Sequence, residues 1–272
     1  MDLLIEKLDG SRYYLSQYKV LITDFEESAP SVTRNSKQLD QRNGNIDFGG
    51  WHTDKTINIT GYYRADDIDE EETLREKLYA LLSDPNGYYI TQLKATPSVT
   101  MERPGETSGG YYDKLSNYPS HKRFLVYTEA PEMELVGNVN GTLLYKLTAE
   151  LKTIKLPYGE TPPADIDVVG NVPYQGTVPC NQLEQGFTIQ FTATGSASSL
   201  SFKINDTELT SSNAVAAGDV FLLNGFSYTQ NKLSIVSKTN KAYFILQPDK
   251  PNRITCNVLG TVRIIGFQNL YS

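Results

Sequence analysis

At 272 residues the chain is long enough for two domains of ordinary size, and 39% hydrophobic against 21% charged residues fits a folded protein rather than a disordered one. A net charge of −7 argues against a general nucleic-acid-binding surface. No apolar run approaches a membrane span, MDLLIEKLDG lacks the basic-then-apolar order of a secretion signal, and two cysteines, Cys180 and Cys256, make no disulfide framework. Folding in a reducing cytoplasm with both thiols free and buried is therefore expected. Residues 165–272 hold seven basic and seven acidic side chains, so the whole net charge of −7 lies before Asp165, which supports two domains.

In chain order, Leu3–Ile5 and Arg12–Tyr14 read as short strands around Gly10, and Tyr18–Phe25 as a further strand with Val20 and Ile22 on one face. The rest of the N-terminal half is organised around the stretch Ala29–Tyr63. Asn43-Gly44 signals a tight hairpin turn, because both residues tolerate the positive φ such turns need. Ile57 and Ile59 then alternate with Thr56, Asn58 and Thr60, the period of a strand with one buried face. Two strands joined by a tight polar turn, then a third strand, are expected.

The run Asp66, Asp67, Asp69, Glu70, Glu71, Glu72 lacks the glycine and alternate-ligand spacing of a calcium loop. It reads instead as a helix start, with Asp69 and Glu72 as a capping box. Leu74, Leu78, Leu81 and Leu82 give the helix one apolar face, and Pro85-Asn86-Gly87 stops it. Tyr88–Thr91 is a strand, Pro97–Pro119 a long exposed loop around a short strand at Tyr111-Tyr112, and Lys122–Tyr127 and Leu143–Ile154 are strands. Leu156–Pro163 reads as a linker. Beyond it, short alternating runs at Phe187–Thr192, Ser201–Ile204, Val220–Leu223, Leu233–Val236, Ala242–Leu246 and Thr261–Phe267, without a helical pattern, indicate a β-sandwich.

Chemistry is sparse. Neither His52 nor His121 lies in a zinc pattern, and there is no nucleophile elbow, phosphate-binding loop or dinucleotide-binding glycine run. No cofactor and no catalytic residue is expected. The C-terminal sandwich holds no Trp, and Phe187, Phe191, Phe202 and Phe244 sit where a core is expected. Weak or absent sugar binding is expected, and a docking or spacing role.

Ala29-Pro30-Ser31-Val32, Arg42–Gly49, Lys55–Ile59 and the acidic helix after them carry a resemblance to a known family. On these residues the N-terminal half resembles the distal tail (Dit) proteins of long, non-contractile-tailed phages that infect Gram-positive bacteria. Ala217-Gly218-Asp219 before Val220–Leu223, and Tyr243–Pro248 with Pro251–Ile254, resemble the family's second domain. The longer turn Pro248–Asn252 departs from the family's simple Pro-Gly turn. The resemblance implies a mainly β protein: an N-terminal ring-forming domain, 1–160, with one helix, and a C-terminal galectin- or carbohydrate-binding-module-like sandwich, 165–272. It implies a homo-hexameric ring at the virion's tail tip, assembled in the host cytoplasm. Implied partners are the major tail tube protein, the tape measure protein, a tail-associated fibre or lysin protein and a receptor-binding protein. DNA would pass through the channel without specific binding, which an acidic lumen would suit; no membrane is involved. Arg34, Lys37, Arg42, Asn43, Gly44, Asp47 and Trp51 are the interface residues expected on this basis. The alternatives are a carbohydrate-binding module on a scaffold domain and, more distantly, a glycan-cleaving enzyme.

Overall fold

The computed structural model describes residues 1–94, 119–139 and 141–272. The expected loop after Pro97 and its Tyr111-Tyr112 strand lie outside them. The described chain divides into two compact units, Met1–Gly159 and Glu160–Ser272. Both are built mainly of antiparallel strands.

The first unit contains β1 (Asp2–Lys7), β2 (Arg12–Tyr14), β3 (Leu21–Glu27), β4 (Val32–Gln38), β5 (Asn45–His52), β6 (Thr56–Ala65), α1 (Ile68–Leu82), β7 (Tyr88–Leu93), β8 (Phe124–Thr128), β9 (Glu132–Val139) and β10 (Thr142–Thr153). One sheet runs β2-β1-β7-β8-β10-β6-β3, with β9 added to β10. It curls, so that the Met1 amino group of the β1 end donates to Ile22 O of β3 at 3.1 Å. Alternation along β6 buries Ile57, Ile59, Tyr63 and Ala65 on the inner face. Leu74, Leu78, Leu81 and Leu82 of α1 close the same core. Each such side chain contributes roughly 1.5–3 kcal/mol relative to exposure. Gly61 is required by a close approach: a Cβ there would lie 3.0 Å from Val20 Cγ1 and 3.1 Å from Ile22 Cδ1.

Several expectations need correction here. The helix starts earlier than Asp69: Asp67 is its N-cap and accepts from Glu70 N at 2.7 Å, while Glu70 accepts from Asp66 N at 2.7 Å. In a run of six acids, any of several has the right chemistry, and only tertiary packing selects one. Residues Leu15–Tyr18 form a 3-10 turn, so β3 begins at Leu21 rather than Tyr18. The Asp2 carboxylate holds that turn, accepting from Ser16 N at 3.1 Å and Ser16 Oγ at 2.6 Å. β9 was not legible, because its apolar and acidic residues follow no clean alternation beside the irregularity at Leu144/Tyr145.

The second unit is a β-sandwich of two main sheets, and Cys180–Asn181 pairs with Ile245–Leu246 as a separate two-stranded sheet. Six strands run in the order Ala164–Val168, Gly260–Phe267, Thr188–Ala193, Val220–Leu223, Tyr228–Gln230 and Leu233–Ser234. Four run Asn171–Val172, Asn252–Cys256, Leu200–Ile204 and Thr207–Ser211. Phe191 of the larger sheet and Phe202 of the smaller meet with centroids 5.8 Å apart. Phe187, Phe191, Phe202 and Phe244 are all in the core, as expected. Fully buried Gln182 is also fully engaged: its Nε2 donates to Phe187 O and Leu223 O, and its Oε1 accepts from Phe244 N. Gln182–Gln185 form one helical turn where no helix was expected. The expected strand Leu233–Val236 stops at Ser234, giving way to a 3-10 turn at Val236–Lys238. Only Ile245–Leu246 of Ala242–Leu246 is strand, since Lys241 sits at φ +57° and Ala242 O accepts from the Tyr228 hydroxyl at 2.8 Å. The turn before Asn252 is fastened by that residue, which accepts from Gln247 N at 2.8 Å and donates to Gln247 O at 2.9 Å. Cys180 and Cys256 are free; Cys180 is buried, but Cys256 is only half-buried, contrary to the expectation for it.

Candidate functional site

The site is an arm. Among the described residues β4 and β5 pair only with each other, as a two-stranded sheet outside the main one. Every residue of β4 is exposed, and in β5 only Ile46 is partly covered. An isolated two-stranded ribbon is marginally stable in water. The hairpin is not the tight Asn-Gly turn read from the sequence. Pairing ends at Gln38↔Asn45, leaving a six-residue loop, Leu39–Gly44. Gln41 at φ +61° and Gly44 at φ +77° turn the chain, and Arg42 N donates to Leu39 O at 3.3 Å. Asn43-Gly44 thus closes a wider loop instead of forming a two-residue turn.

Register defines two faces. β5 carries one extra residue between the pairs Arg34↔Gly50 and Ser36↔Asp47, and Gly49 there adopts φ +95°. Arg34 and Asp47 then meet on one face in a salt bridge, and Asp47 also accepts from Gly49 N at 3.1 Å. The Arg34 hydrogen bond, then the Gly49 N–H, hold the Asp47 carboxyl below its ordinary range. The other face carries Trp51 opposite Thr33 and Ile46 opposite Lys37, with Phe48 between. Trp51 is 54% exposed and Phe48 61%. Uncovered aromatics on a ribbon that pairs with no other strand among the described residues, and touches the unit near its root through His52, make a candidate interaction surface.

The foot of the arm is rigid by contrast. Ser31 N donates to Asp54 O at 2.8 Å and Ser28 N to Thr56 O at 2.9 Å, so the β3–β6 ribbon runs straight into the arm. Lys55 is only 1% exposed. Its ammonium pairs with Glu27, which also accepts from Lys122 Nζ at 2.6 Å, and both ammonium groups lie over the Phe124 ring. Burial, the largest single influence, pushes the Glu27 carboxyl up, but Lys122 and Lys55 together outweigh it and hold it below its ordinary value. His52 Nδ1 lies 2.8 Å from the Tyr158 hydroxyl, with the rings edge-on.

Arg34, Asp47 and Trp51 therefore lie on the arm's strands with Lys37, and Arg42, Asn43 and Gly44 at its tip. The sequence reading missed Ile46 and Phe48 as partners of Trp51, and the Glu27–Lys55–Lys122 foot. The aromatics were legible once the extra residue in β5 was known. The foot joins residues up to 95 positions apart and carries no local signal. Among the described residues no group of three His, Cys, Asp or Glu could hold a metal ion, and no helix is long and apolar enough to cross a membrane.

A family model described as phage tail protein RIFT-related domain matches residues 8–178, more than half of the chain and the whole of the arm. The chain belongs to that family. It is thus a phage tail protein. No curated sequence matches it significantly. Among solved structures, its fold is that of the Dit protein of phage SPP1, described as a paradigm of the hub adsorption apparatus in phages infecting Gram-positive bacteria. The match covers 99% of each chain at 12% identity, with a TM-score of 0.64. Chains of the phage P2 baseplate, in activated conformations with Ca and with Sr, align over 98% of this chain and 97% of theirs. Their identities are 9% and 8% and their TM-scores 0.41 and 0.40. The Dit fold of this phage tail protein is mainly β, with the arm part of the first unit.

Proposed function

We infer that this phage tail protein is a baseplate hub: a homo-hexameric ring at the tail tip, closed by the β4–β5 arm of each copy reaching the next. Residues 1–160 form the ring and its channel for DNA, and residues 165–272 form a separate sandwich. The ring joins the tail tube and tape measure proteins to the tail-associated fibre or lysin protein and to receptor-binding proteins. The role is structural, not catalytic, and assembly takes place in the host cytoplasm. One observation carries the reading: the arm exposes Phe48 and Trp51 on a ribbon that its own sheet leaves unsupported. A neighbour in a closed ring would cover that ribbon and leave no free arm. The SPP1 Dit fold over the full length supports it. Negative-stain images of the purified chain test it: six-fold rings with a central hole are expected, and single particles of monomer size at high concentration would refute it.

A second reading, a sugar-binding sandwich, has one observation in its favour. Phe226 and Tyr243 are exposed on adjacent loops, where a Cβ at Gly225 would lie 3.3 Å from Tyr243 Cβ. Exposed aromatics can stack on a sugar ring. Titration of the chain with host cell-wall polysaccharide separates the two: saturable micromolar binding, lost in Phe226→Ala, favours the module.

A further inference from the structure

Two surfaces of the first unit carry opposite charge, each without a partner in its own copy. On the arm, Lys37 and Arg42 make no ion pair among the described residues, Arg34 is already taken by Asp47, and exposed Asp40 in the tip loop offsets one cation, leaving the arm with a single net positive charge. The second surface is the outer face of the main sheet. Register sets Asp24 of β3, Thr60 of β6, Thr148 of β10 and Glu132 of β9 in one cross-strand row. Glu26, Asn58 and Glu150 form the adjacent row. Glu134 stands beyond, opposite Lys146. Asp24, Glu26, Glu132 and Glu134 have no ion-pair partner among the described residues, and Glu150 has Lys152 at 3.5 Å. Between the rows lies an open groove of about 370 Å³, lined by Asn58, Thr60, Glu132, Thr148 and Glu150. The cations near it are Lys146 and Lys152, and Lys152 also pairs with Glu129 at 3.4 Å, so the face remains acidic.

No hydrogen bond or ion pair among the described residues joins the arm to this face in its own copy. The arm continues the β3–β6 ribbon past Thr56, where β10 makes its last pair with β6 at Lys152. It therefore overhangs the end of its own sheet, and folding back would break the Ser28–Thr56 and Ser31–Asp54 hydrogen bonds. With seven residues in β4, the arm extends about 23 Å at ~3.3 Å per residue, enough to cross the four strands β3, β6, β10 and β9, which span about 15 Å.

We propose that the arm of one copy docks on the outer face of the β3–β6–β10–β9 sheet of a second copy, Lys37 and Arg42 facing Asp24, Glu26, Glu132 and Glu134. The occupant is a second copy of this chain, chosen by charge complementarity and by the overhang. This proposal rests on the ring reading and adds the surface that receives the arm.

Zero-length carbodiimide coupling tests it on the unmodified protein. Equal amounts of 15N-labelled and unlabelled chain are mixed, assembled and coupled, and peptides are read by mass spectrometry. Mixed-isotope amide links from Lys37 to Asp24, Glu26, Glu132 or Glu134 are expected. Links from Lys37 only to other carboxylates would overturn the proposal. Charge reversal gives a second arm of the test. K37E with R42E, or E26K with E132K, should each weaken assembly by about tenfold or more, and the four changes together should restore it. Rings that form normally in E26K/E132K would show that the arm docks elsewhere, leaving the ring reading intact. Absence of any assembly in the unaltered chain would overturn both.

Discussion

The Lys55 ammonium, almost wholly buried at the foot of the arm, is held by the carboxylate of Glu27, whose same oxygen Lys122 also grips at 2.6 Å. Glu27 ends β3, Lys55 immediately precedes β6 and Lys122 lies just ahead of β8, so one carboxylate ties the arm's root to the sheet. Glu27→Gln leaves the Lys55 charge uncompensated and should cost about 2–4 kcal/mol, read by denaturant unfolding. Because the folded Glu27 lies below its ordinary 4.5, its stabilisation is present above about pH 4.5 and is lost as pH falls through the lower, folded value. The variant should therefore lose less stability than the parent between pH 5 and pH 3. Equal acid sensitivity in the two proteins would contradict the assignment.

Helix α1 should respond at two separate points. Asp67→Ala removes the N-cap and should cost about 1 kcal/mol, whereas Asp69→Ala should be near neutral. Leu78→Ala opens a cavity in the core and should cost about 2–5 kcal/mol. Thermal melts in parallel check both, and an equal loss from Asp67 and Asp69 would contradict the cap.

How far the sequence reached depends on range. Periodicity was enough for β6, for the apolar face of α1 and for the core phenylalanines, because each depends on neighbours in the chain. The arm was legible as an exposed polar hairpin, but not its faces: one extra residue at Gly49 decides whether Phe48 joins Trp51, and no propensity marks it. Glu27–Lys122 and the carboxylate rows across β3, β6, β10 and β9 exist only through pairing of distant strands. Asn43-Gly44 misled because Gly44 has the positive φ of a hairpin turn but uses it to end a six-residue loop.

The thiols should differ in reactivity. Burial pushes the Cys180 thiol up to about 12, and burial also raises half-buried Cys256. Since the thiolate is the reactive form, native protein should label first at Cys256 and scarcely at Cys180. Both should label after unfolding without reductant, as two free thiols. Intact mass spectrometry reads the outcome; no labelling under denaturing conditions would mean that they pair.

Trp51 is the chain's one tryptophan and lies on the exposed arm, so its fluorescence reports on the arm alone. Assembly should move its emission to shorter wavelength as the neighbour excludes water. Dilution or added salt should reverse the shift, salt acting by screening the arm's charges. An emission maximum unchanged from dilute to concentrated protein would leave the arm uncovered.

If the arm closes a ring, the mass of the particle in solution reports it most directly. Light scattering behind size-exclusion chromatography should give about six times the 30.4 kDa of one chain. Removing the loop Leu39–Gly44 should lower that mass while the thermal transition stays in place. A mass of one chain for the intact protein at high concentration would contradict the account.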